Sequence, residues 1–212
     1  MQALSIQGDG AEASRAALDR TVHAGGVALF PADTLYGLGC DPLNEAAIER
    51  IHALKGRDEG KPSAVMYFSP LAMRELVSTL GPAARDALGV LLPGPVTLVV
   101  HNPEHRYPLA CREDPERLGV RLIEGPLAGA TCALFQTSAN RTREPAPHRF
   151  EDVEAEIREG VELAIDGGAL GGLPSTVVDL TAIDAGGGWS VLREGALPAD
   201  EVERRLARID RG

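Results

Sequence analysis

Short apolar runs constrain this chain most. They fall at residues 27–30, 64–68, 96–100, 119–123, 134–138, 161–165, 176–180 and 190–192. The first, Val27 to Phe30, is continuously apolar and reads as a buried strand of a parallel or mixed sheet; the others are apolar runs of strand length. Helical periodicity lies between them. Residues 11–24 place Leu18 and Val22 on one face and stop at Gly25-Gly26. Residues 44–55 carry Asn44 as an N-cap and an apolar stripe of Ala47, Ile48, Ile51 and Leu54. Ser69-Pro70 opens a third helix in cap-then-proline order, and further helices are expected at 83–92 and 199–209. Strands and helices interleave without strict alternation. The pattern predicts an α/β (α+β) chain with one mixed sheet, and the 212 residues contain no repeat or linker that would divide them into domains. The stretch 31–43 reads as a turn, and 101–118 as an irregular excursion.

Composition excludes several function classes. The formal net charge is −10, which argues against a surface that tracks nucleic-acid phosphates but leaves room for a local nucleotide pocket. Cys40, Cys111 and Cys132 form no C-x-x-C pair, so neither a zinc site nor a disulfide framework is expected. No apolar run is long enough for a membrane span and the first twenty residues do not resemble a secretion signal, so the cytoplasm is the expected compartment.

The histidines form no metal motif or catalytic triad; His101 and His105 fall in the irregular stretch. Gly56 to Pro62 departs from a Walker loop by its glycine spacing and by Pro62 where a Ser or Thr should stand. Lys55, Arg57 and Lys61 nonetheless cluster between two expected strands of an acidic chain. Cations there either complement a helix C-terminus or meet a polyphosphate. Ser138 and Asn140, at a strand end, either cap a turn or bind a phosphate or sugar oxygen. Ser175 and Asp33-Thr34 occupy similar places beside other strands.

Taken in order, these stretches resemble the YrdC family. The residues are Phe30 to Leu38 (FPADTLYGL), Lys55-Gly56-Arg57 with Lys61-Pro62, and Pro93 to Leu98 (PGPVTL). Gly119 to Arg121, Thr137 to Asn140 (TSAN), Ser175 to Asp179 (STVVD) and Leu192 to Gly195 (LREG) follow. The resemblance runs from about residue 15 to residue 198 and is to the short form, without an added C-terminal domain. It implies a single domain with a twisted mixed sheet flanked by helices and a large, positively lined concave pocket. It also implies synthesis of threonylcarbamoyl-adenylate from L-threonine, bicarbonate and ATP, with Mg²⁺ accompanying ATP and no protein-held metal. The product would pass to the complex that modifies tRNA, with little or no direct nucleic-acid binding by this chain. The alternative is a YrdC-like paralogue that binds a nucleotide or RNA without this synthase activity.

By that resemblance Lys55 and Arg57 are the catalytic cations. Arg57, Lys61, Ser138, Asn140 and Arg193 would bind the nucleotide, and Thr34, Arg121 and Ser175 the threonine, with Arg121 meeting its carboxylate. The sequence departs from the family at Asp58 and Ile123, where proline is usual, and at Arg143, where glycine is usual.

Overall fold

A computed structural model describes residues 1–56 and 61–209. The chain opens with β1 (Gln2–Ser5) and the single turn α1 (Ile6–Asp9), followed by α2 (Ala11–His23). Next come β2 (Ala28–Pro31), β3 (Tyr36–Cys40), α3 (Glu45–Lys55), β4 (Ala64–Tyr67), α4 (Pro70–Thr79) and α5 (Pro82–Leu91). The middle contains β5 (Val96–His101), α6 (Pro108–Cys111), β6 (Arg117–Leu122) and β7 (Ala133–Ser138). The last part contains α7 (Ala155–Glu159), β8 (Leu163–Asp166), β9 (Thr176–Asp179), β10 (Ser190–Arg193) and α8 (Ala199–Leu206). The helix starts follow the cap chemistry: Asn44 Oδ1 accepts the Ala47 N–H at 3.1 Å, and Ser69 Oγ accepts that of Ala72 at 3.2 Å.

Among the described residues the strands form one sheet in the order β1-β8-β2-β3-β7-β4-β6-β5-β9-β10. The pairs β1·β8, β2·β8, β4·β6 and β5·β9 are parallel and the remaining neighbours antiparallel, so the sheet is mixed, as expected. Two strands go beyond the sequence reading. β1 is a short edge strand whose residues are only half-buried or exposed, so it lacks the apolar signature of the others. β3 lies inside the stretch expected to be a turn, where its two glycines concealed it. Both glycines are needed there. A Cβ on Gly39 would stand 2.8 Å from Leu134 Cδ1, and one on Gly37 would stand 3.1 Å from the Phe30 ring.

Alternation along the strands divides the molecule into two faces. Val65, Leu98, Val120 and Val178 point to one side, where α3, α4, α5 and α8 cover the sheet with an apolar core. Phe30, Met66 and Leu134 point to the other side, where α2 packs through Ala17, Leu18 and Val22. That second layer covers only part of its face. Met66 is paired across strands with Arg121, on the same face, and from there toward β10 the sheet is left open.

Candidate active site

The uncovered part of the sheet forms the floor of a cavity of about 710 Å³. Strands β3, β7, β4, β6, β5, β9 and β10 all contribute to its lining. The arrangement follows from strand periodicity. In β6, Arg117, Gly119 and Arg121 face the cavity, while Leu118 and Val120 enter the core behind it. Gly119 keeps the floor low, since a Cβ there would lie 3.3 Å from both Cα and Cβ of Ala64.

Of the residues singled out by sequence, Thr34, Lys61, Arg121, Ser138, Ser175 and Arg193 line this one cavity. Arg57 and Asp58 lie outside the described residues. Lys55 does not line the cavity, and its ammonium points elsewhere. Lys55 is 3% exposed, and its Nζ donates to the Ser138 carbonyl, to the Asn140 carbonyl at 2.6 Å and to Asn140 Oδ1 at 3.4 Å. The backbone adds to this clip, because Thr142 N–H donates to the Lys55 carbonyl at 3.0 Å. Asn140 also turns inward. Its Oδ1 accepts the Ser138 hydroxyl at 2.5 Å, and its Nδ2 donates to the carbonyls of Arg141 and Glu144 at 3.0 and 2.6 Å. Lys55 and Asn140 together shape the turn that presents Ser138.

Arg121 and Asp33 form a buried ion pair, Nη2 to Oδ1 at 2.5 Å, with side chains 5% and 10% exposed. Burial pushes the Asp33 carboxyl above its usual range, and Arg121 opposes that rise. Burial likewise lowers the Arg121 guanidinium pKa, Asp33 opposes it, and the like charge of Arg193 lowers it further. Arg193 Nη2 donates to the Ser175 carbonyl at 2.8 Å, and Ser175 Oγ shares a 2.9 Å hydrogen bond with Thr97 Oγ1. On the β3 side, Gly167 N–H donates to Tyr36 Oη at 2.9 Å and Tyr36 Oη donates to the Gly168 carbonyl at 2.8 Å, which ties the glycine-rich loop to β3. Burial raises the Tyr36 phenol to about 12, so it stays protonated.

Sequence reasoning missed Arg117 and Asp114, which also line the cavity. The signal was present: Arg117-Leu-Gly-Val-Arg121-Leu alternates polar or small with apolar, the signature of a strand with one open face. Arg117 is tied to Asp179 at 2.7 Å and to Asp114 at 3.7 Å. At the departures from the family pattern, Ile123 donates its N–H to the Tyr67 carbonyl at 3.2 Å, a bond proline could not make. Arg143 sits at φ 76°, the left-handed backbone that glycine adopts readily. Cys40 is fully buried behind the wall, and burial raises its thiol to about 12.

Four cations (Lys61, Arg117, Arg121 and Arg193) therefore converge on one hollow of a chain with net charge −10. Hydroxyls from Thr34, Thr97, Thr137, Ser138 and Ser175 stand beside them. Such a surface suits ligands that carry more than one anionic group. Among the described residues, no group of three or more His, Cys, Asp or Glu side chains is placed to hold a metal ion. No helix among them is long and apolar enough to cross a membrane.

The Sua5/YciO/YrdC family model, described as telomere recombination, matches residues 20–195. A threonylcarbamoyl-AMP synthase of Chromohalobacter salexigens is 36% identical over 166 residues, covering 75% of this chain and 88% of that protein. One from Thiobacillus denitrificans is 34% identical, covering 80% and 92%. Among solved structures, Pyrococcus abyssi Sua5 complexed with L-threonine superposes with a TM-score of 0.81 at 26% identity. That match takes in 96% of this chain but only 60% of the Sua5 chain. Escherichia coli YciO matches with a TM-score of 0.76 at 24% identity, over 92% and 95% of the two chains, which is a likeness of fold.

Proposed function

This chain belongs to the Sua5/YciO/YrdC family, and from that premise we propose that it is an L-threonylcarbamoyladenylate synthase. Its substrates would be L-threonine, bicarbonate and ATP. The observation that carries the reading is the convergence of Lys61, Arg117, Arg121 and Arg193, with Ser138 and Ser175, on one cavity.

The chemistry requires two anions to meet. Carboxylation of the threonine amine by bicarbonate gives a carbamate and releases water. A carbamate oxygen then attacks the α-phosphorus of ATP, the bond to the bridging oxygen breaks, and pyrophosphate leaves with that electron pair. The product is a mixed anhydride of carbamate and adenylate. No protein nucleophile is needed, and the burden falls on positioning and on offsetting charge repulsion. Arg121, Thr34 and Ser175 would hold threonine, with Arg121 on its carboxylate. Lys61, Arg193 and Ser138 would hold the nucleotide, together with Arg57. Asn140 and Lys55 would act one step back, by fixing the turn that carries Ser138. Mg²⁺ would accompany ATP, held by the phosphates rather than by a protein cage. Bound there it would neutralise phosphate charge. Consumption of the product by a tRNA-modifying complex completes the reading.

The test is pyrophosphate release from ATP with threonine and bicarbonate each present or omitted, and identification of the adenylate by mass. Release that depends on both supports the synthase. ATP binding without threonine-dependent release would instead place the chain among relatives that bind a nucleotide and do other chemistry. Lys61→Ala is expected to weaken ATP binding at least tenfold with the fold intact, about the effect of one charge-assisted hydrogen bond. An unchanged affinity would remove Lys61 from the nucleotide site.

A further inference from the structure

The four cations of the cavity differ in how their charge is balanced. Arg117 is held by Asp179 and Asp114, and Arg121 by Asp33. Among the described residues, no carboxylate lies within ion-pair distance of Lys61 or Arg193. The Asp33–Arg121 pair is also incompletely hydrogen-bonded. It is joined through one hydrogen bond rather than a two-bond fork, and Asp33 Oδ2 and Arg121 Nε are both buried without a partner. A buried ion pair with a donor and an acceptor left over is weak evidence of stabilisation, so the fold alone does not account for Asp33.

We propose that Asp33 is a positioning residue that sets specificity: it matches Arg121 to a single carboxylate and leaves the polyphosphate to Lys61 and Arg193. The proposal rests on the synthase reading for the identity of the two anions. Phosphate groups gain most where positive charge is uncompensated. A carboxylate, planar and singly charged, gains as much from a guanidinium held in a fixed plane. Asp33 supplies both conditions at Arg121, because it offsets the charge and fixes the orientation through Nη2. Its place in the chain suits that task, since Ala32 and Thr34 on either side both line the cavity while Asp33 turns back beneath the wall. Without this arrangement, Arg121 and Arg193 would form one continuous cationic surface on which phosphate could occupy the amino-acid position.

Steady-state kinetics of the wild type, Asp33→Asn and Asp33→Glu test this, with threonine and ATP varied separately and inorganic sulfate as the probe anion. Asp33→Asn is expected to raise KM for threonine about tenfold, the worth of one charge-assisted hydrogen bond, with KM for ATP unchanged. Sulfate should become a competitive inhibitor against threonine in this variant, and Asp33→Glu should restore most of the wild-type behaviour. An equal rise in both KM values, or sulfate that never competes with threonine in Asp33→Asn, overturns the proposal. Should Asp33→Asn fail to fold, the wild type decides: sulfate must compete with ATP and not with threonine, and the reverse refutes the sorting. Should the wild type show no threonine-dependent turnover, the synthase reading falls and the sorting is judged by calorimetry. The Asn variant must then bind one more sulfate than the wild type, and an equal count overturns the proposal.

Discussion

Replacing Lys55 by Met separates two roles that a lysine in this motif could play. Met keeps most of the apolar stem and removes the ammonium with its bonds to the Ser138 and Asn140 carbonyls and to Asn140 Oδ1. Hydrogen bonds to a charged donor contribute about 1.5–3 kcal/mol each, and two of the three are short. Part of that loss is offset, because an ammonium no longer has to be kept out of water. The net destabilisation is about 2–4 kcal/mol, which for a chain of this size corresponds to a Tm lower by about 5–15 °C. The loss falls at the end of β7, so ATP affinity should drop as Ser138 loses its support. Urea denaturation followed by circular dichroism, with the slope m checked for constancy, gives the first quantity, and calorimetric titration with ATP the second. If Lys55 acted instead as an exposed phosphate cation, stability would stay near wild type while ATP affinity fell steeply and in a salt-dependent way. That combination would refute the positioning role.

Arg143 occupies a left-handed backbone at φ 76°, where a non-glycine residue costs roughly 1–2 kcal/mol. Arg143→Gly relieves that strain but adds freedom to the unfolded chain, leaving a net gain of about 0.5–1 kcal/mol readable as a higher urea midpoint. Glu162 is exposed, with its side chain 48% accessible. Desolvation would raise its carboxyl, but hydrogen bonds from Arg50 at 2.7 Å and from the Val27 N–H at 2.8 Å outweigh this and hold it below its reference value of 4.5. A depressed folded pKa contributes stability above about pH 4.5 that is lost as pH falls through the folded value. The stability gap between wild type and Glu162→Gln should therefore be widest at neutral pH and close on acidification; a gap constant from pH 7 to pH 3 would contradict the assignment.

The parts of this molecule written locally in the chain were legible. Apolar runs bounded by glycine and proline became strands, and Asn44 and Ser69 became caps. The ordered motifs identified the family, because each is a short peptide whose composition is its message. Where two segments must approach closely, the local signal misleads. Gly37 and Gly39 read as turn residues, yet they sit in a strand because the Phe30 ring and the β7 backbone leave no room for a side chain. The direction of a long side chain is equally invisible along the chain. Lys55 reads as one cation of a basic motif, but it is the last residue of α3 and its side chain passes under the wall to the end of β7.

The sequence by itself determined the mixed sheet, the family and most element types, though not those of β1 and β3, since these follow from periodicity, caps and short motifs. Only the tertiary structure decided which cations face the hollow and which acids balance them. Asp33 and Arg121 are separated by 88 positions, and only the order in which the sheet assembles its strands closes that gap to 2.5 Å. Charge balance in a cavity is a property of distance through space, and the chain records it only where strand pairing makes distant residues neighbours.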